Sequence, residues 1–155
     1  MNGRARRASV AAIVLTALSL GIVQAANADD VGTAKTVLRA QLAFIKQQAV
    51  MNKCLAASPT KNTPCIRRSS LKLATLADRH IKLIQSAIDG TEQPCVVTVA
   101  RQEITYLRIW RDGARALNRN ERKKARRLFL SSQGIGDAQA QIQPQCFATV
   151  LAGGG

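Results

Sequence analysis

Aromatic side chains are scarce in this chain: one tryptophan, one tyrosine and three phenylalanines in 155 residues. That scarcity argues against base reading and against stacking of single strands, which rely on exposed rings. Strand-forming runs are scarcer still. Val96-Val97-Thr98-Val99 is the one β-branched run, and helical periodicity continues through it. There is a single histidine, His80, and no Cys-x-x-Cys-His sequence of the kind that attaches haem. Acids are few, nine against 23 lysines and arginines. After the first thirty residues, no segment is apolar enough to span a bilayer.

What is present begins with an export signal. Arg4, Arg6 and Arg7 precede a mostly apolar run from Val10 to Val23, which ends at the small-x-small sequence Ala26-Asn27-Ala28. A basic start, a short apolar core and a cleavage pattern, in that order, predict a leader over residues 1–28, with a cut after Ala25 as the second choice. The leader takes three of the 23 basic side chains and none of the nine acids, which leaves 20 against 9 and a net charge of +11. Such a surplus favours anionic partners: an envelope polymer, an acidic membrane surface or an acidic protein. Sequence-specific nucleic acid is not expected. The chain is predicted to work as a secreted, periplasmic or cell-envelope protein.

Cys54, Cys65, Cys95 and Cys146 all lie beyond the leader. An even number in an oxidising compartment predicts two disulfides. Zinc needs closer pairs, two to four residues apart, and these four are too scattered.

The periodicity divides residues 29–150 into four amphipathic helices, with 151–155 as a loose tail. The first is predicted over 33–57, with Val37, Ala40, Phe44, Met51 and Leu55 on one face and Leu38, Leu42, Ile45 and Ala49 widening it. Ser58-Pro59 ends it. The second opens at Thr63-Pro64, a cap followed by a first-turn proline, and stops at Gly90. The third runs from Pro94 to about Leu117. Asn118-Arg119-Asn120 makes a turn, with Asn120 capping the fourth. Gly134 and Gly136 weaken the fourth helix, each by about 1 kcal/mol against alanine, and predict a kink or break there.

Short links between such helices predict an all-α, antiparallel up-down-up-down four-helix bundle. The cysteines then choose their partners. Cys54 and Cys65 fall at one end and Cys95 and Cys146 at the other. Helices of over twenty residues hold the ends roughly 30 Å apart, whereas a disulfide needs Cα atoms within about 7 Å. Only Cys54–Cys65 with Cys95–Cys146 fits.

His80 lies on a largely apolar helix face, with Leu73, Ala77 and Ile84 at helical spacing. The antiparallel register levels it with Glu103, itself between Ala100 and Leu107, and brings Gln139 to the same height. A buried polar layer of His80, Glu103 and Gln139 is therefore predicted, since inward polar groups must satisfy one another. A histidine beside a carboxylate can also act as an oriented base. As a catalytic site it lacks a nucleophile unless Ser132 is near, and as a metal site it lacks a third ligand unless Asp137 turns inward. Met51 and His80 would lie about 18 Å apart along the bundle axis, too far to share a haem iron. No metal and no cofactor are expected.

Arg101, Arg108, Arg115 and Arg122 recur every seven residues, with Arg111 beside them. Arg119, Lys123, Lys124, Arg126 and Arg127 follow, making the densest positive charge in the chain. Guanidinium forks bind phosphate and carboxylate. The sequence thus points to a non-catalytic module that binds an anionic partner through this surface. The alternatives are a small enzyme or metal protein centred on His80 and Glu103, and a structural or inhibitory envelope protein.

Overall fold

A computed structural model describes residues 27–153. The predicted leader, apart from Asn27 and Ala28, lies outside the described residues, as do Gly154 and Gly155. Five helices follow in order: α1 (Ala28–Ala57), α2 (Pro64–Ile88), α3 (Pro94–Asn118), α4 (Arg122–Ser131) and α5 (Gln133–Gly153). The first three are the first three arms of the bundle, and α4 with α5 makes the fourth. The described residues contain no strand.

Local chemistry sets most of the boundaries. Thr63 caps α2 by accepting from the Ile66 N–H at 3.4 Å, and Pro64 occupies the first turn. Pro94 likewise occupies the first turn of α3, there without a side-chain cap. α1 starts five residues earlier than its apolar pattern suggests. The Asp30 N–H donates to Asn27 Oδ1 at 2.7 Å and the Asn27 N–H donates to Asp30 Oδ2 at 3.0 Å, a reciprocal capping box. The buried Asp30 also accepts from the backbone N–H groups of Glu92 and Gln93, each at 2.9 Å. One carboxylate therefore caps α1 and holds the α2–α3 link.

The α3–α4 turn is present but differs in detail from its prediction. Asn120 has φ 66°, in the left-handed region, and Glu121 takes the capping position. The Glu121 N–H donates to the Ala116 carbonyl at 2.8 Å and the Asn120 N–H to the Leu117 carbonyl at 3.0 Å. This is the bonding of a left-handed helix stop, in which asparagine substitutes for glycine. In the fourth arm the interruption falls at Ser132, two residues before Gly134. Ser131 and Ser132 donate their hydroxyls to the Leu128 and Phe129 carbonyls, each at 2.7 Å. Such side-chain bonds compete with the helix ladder. Both glycines lie inside α5, which continues through Gly153 and so takes in residues predicted as tail.

Disulfides clamp both ends as the topology requires. Cys54 and Cys65 have Cα atoms 5.7 Å apart, and Cys95 and Cys146 5.9 Å. Between them runs one core, including Phe44 and Met51 from α1, Leu73 and Ile84 from α2, Leu107 and Ala114 from α3, and Phe147 from α5. Leu42 and Ile45, expected to widen the inner face of α1, are instead 62% and 59% exposed. Since α1 is flanked by α2 on one side and α5 on the other, its inner stripe is narrower than its apolar one.

Candidate functional site

Glu103 is 2% exposed and forms the centre of a polar cluster. Its Oε2 accepts from Gln41 Nε2 at 2.9 Å and from Gln139 Nε2 at 2.8 Å. Gln41 in turn exchanges amide bonds with Gln143, both at 2.9 Å. α1, α3 and α5 thus meet at a network whose amides bond one another. Burial pushes the Glu103 carboxyl up from its ordinary value, against the opposing pull of the two amide donors.

Of the predicted layer, Glu103 and Gln139 meet and His80 does not join them. His80 is half-buried, and its Nε2 is enclosed with no hydrogen-bond partner. Burial first, and the neighbouring Arg79 second, hold its pKa below the ordinary histidine value. Two features separate it from Glu103. Asp78 pairs with Arg111 at 3.3 Å and Arg115 at 2.6 Å, and Gln85 and Ile88 share a recess with Arg101 and Ile104. This register levels His80 with a part of α3 more than a turn beyond Glu103. Glu103 also faces α1 and α5 rather than α2. Gln41 and Gln143 were missed by the sequence reading. Gln143 stands four residues after Gln139 on one stripe of α5, and Gln41 three residues from both Leu38 and Phe44. Those spacings were the available clue.

The structure divides the predicted basic surface rather than uniting it. Arg101, Arg108, Arg111 and Arg115 lie on the side of α3 next to α2, where Asp78 engages two of them. Arg111 also meets Asp112 at 2.8 Å. Arg119 pairs with Glu121 at 2.7 Å, and Lys124 lies 3.6 Å from the same acid. Arg122 is a strut: its guanidinium donates to the carbonyls of Ser58, Pro59 and Lys61, so α4 is tied to the α1–α2 loop. Among the described residues, Arg101, Arg108, Lys123, Arg126 and Arg127 form no ion pair, and all five are exposed.

Lys123 and Arg126 line a cleft of about 890 Å³, whose wall includes Tyr106, Trp110, Phe129 and Leu130. Trp110 stacks on Phe129 with ring centroids 4.3 Å apart and packs edge-on against Phe44. Phe129 approaches α3 closely because position 113 is glycine: a Cβ there would lie 2.3 Å from the ring. Trp110 is part of the core, and it also backs the cleft. Ser132 lines the same cleft, with its hydroxyl committed to the Phe129 carbonyl. Asp137 is an exposed acid on the cleft wall, away from the Glu103 cluster. No group of three His, Cys, Asp or Glu residues among the described residues is placed to hold a metal.

The site therefore defines a class by geometry alone: an all-α bundle stapled at both ends, with a cationic rim over an aromatic-walled cleft. No family model matches the chain, and no curated protein and no solved structure is found to match it.

Proposed function

We propose that this chain is an exported, non-catalytic binding module for an anionic partner, and that the α4 surface makes the contact. The observation that carries this reading is the trio Lys123, Arg126 and Arg127. These side chains are exposed and free of acidic partners among the described residues, and two of them stand over the aromatic cleft. The net charge of +11 that remains once the predicted leader is removed supports the sign of the partner. The two disulfides are consistent with an oxidising compartment, which fits a secreted, periplasmic or envelope site of action. An acidic lipid surface or an envelope polymer would meet these cations as phosphate or carboxylate groups.

The test compares two sets of charge removals in binding to vesicles of phosphatidylglycerol and of phosphatidylcholine. The intact chain is expected to bind the acidic vesicles alone. K123A/R126A/R127A should weaken that binding at least about tenfold, a loss of about 1.4 kcal/mol or more. R101A/R108A, on the α2 side, should change it by less than about twofold. Equal binding to both vesicles, or an unaffected triple variant, would overturn the proposal.

A further inference from the structure

A second cavity of about 500 Å³ lies against α1 and α5, lined by Leu38, Phe44, Ile45, Pro144, Phe147 and the Glu103 cluster. Tyr106 and Gly136 line both cavities. The two adjoin at these residues, with Lys123 and Arg126 lining the first and a largely apolar wall in the second. Both volumes fall in the range of small-molecule sites.

We infer that the two cavities form one groove and that it binds a single-chain anionic amphiphile. Its carboxylate or phosphate head sits between Lys123 and Arg126, and its chain passes Tyr106 and Gly136 into the apolar reach. This rests on the anion-binding reading above, because the same two cations take the head. Three observations favour such an occupant. Ile45 at 59% exposure and Leu130 at 52% leave apolar surface at the groove in water, which an acyl chain would cover. The polar floor is partly satisfied from within, since Glu103 Oε2 accepts from both Gln41 and Gln139 and Gln41 exchanges amide bonds with Gln143. Residue 136 has no side chain to fill the junction: a Cβ there would meet only Tyr106, at 3.8 Å, and a longer side chain would occupy that space. Asp137 is the one acid lining the cleft, and Arg122 beside it is engaged with loop carbonyls, so Lys123 and Arg126 set the sign of the head group.

Trp110 is the chain's one tryptophan and lines the cleft, so its emission reports on occupancy. The disulfide-bonded chain is titrated with dodecanoate, hexanoate and dodecyltrimethylammonium, all below micelle-forming concentrations. Dodecanoate should shift the emission saturably. Each buried methylene is worth about fourfold in affinity, so hexanoate should bind at least about 100-fold more weakly. The cation of equal chain length should bind at least about tenfold more weakly than dodecanoate. G136L, which raises the helix propensity of α5, should weaken dodecanoate at least about tenfold and leave hexanoate unchanged. K123A/R126A should weaken dodecanoate to a similar degree while circular dichroism of the free protein stays the same. No saturable shift, no dependence on chain length, or equal binding of anion and cation would overturn the inference. Dodecanoate binding without vesicle binding would remove the surface reading and leave the groove site standing. The reverse result would remove the groove site alone.

Discussion

Glu103 is buried against amides rather than against a cation, and that choice sets a pH dependence. Its folded pKa is raised, chiefly by burial, so the folded state holds the proton more tightly than the unfolded chain. The resulting stability is present below the ordinary glutamate value and is lost as pH rises through the folded value. His80 acts in the opposite sense. Its folded pKa is lowered, so its contribution is present above the ordinary histidine value and is lost as pH falls through the folded one. Glu103→Gln keeps the shape and the acceptor oxygen and removes only the first effect. Relative to wild type, the stability of E103Q, read from urea unfolding midpoints between about pH 4 and pH 8, should therefore increase once pH exceeds the ordinary glutamate value and level off above the raised folded one. A difference that stays constant over that range would contradict this account. The inward placement of Glu103 was legible from its apolar neighbours at helical spacing. Its partners were not, because the level at which helices meet depends on how Asp30 and the α2–α3 link seat one helix end against another. No periodicity in the sequence encodes that offset.

Helix boundaries divide along a similar line. Thr63-Pro64 and Pro94 act within a single turn, and both are visible in the sequence. The interruption of the fourth arm was placed on helix propensity, at Gly134 and Gly136. It falls instead where two adjacent serine hydroxyls bond carbonyls three residues back. Gly113 gave no sign in the sequence, yet it fixes the distance between α3 and α4. Its missing side chain admits Phe129 to the face of Trp110. Gly113→Ala should push Phe129 away and loosen α4 against α3. Overpacking of this kind costs about 1–3 kcal/mol, and a lower Tm with red-shifted Trp110 emission would register it. Unchanged emission would mean that the stack tolerates the methyl group. Gly134 has open space around it, and nothing in the structure explains its choice of residue.

For the molecule as a whole, the pairing of the cysteines followed from helix count and end-to-end distance. Those are coarse quantities that a sequence carries well. The basic surface was read as one patch because its residues are continuous in the chain. Folding divides it. The α3 arginines turn towards α2 and Asp78, Arg122 becomes a strut, and Lys123, Arg126 and Arg127 remain unpaired among the described residues. No helix among the described residues is long and apolar enough to cross a membrane. What that trio meets is tested most directly by the salt dependence of binding. Affinity of the disulfide-bonded chain for phosphatidylglycerol vesicles is measured from about 50 to 200 mM salt, beside K123A/R126A/R127A. Contacts that displace counterions weaken as salt rises. The intact chain should lose about tenfold or more in affinity, and the triple variant should show a shallower slope. Identical slopes for the two proteins, or affinity indifferent to salt, would contradict an anionic contact at this trio.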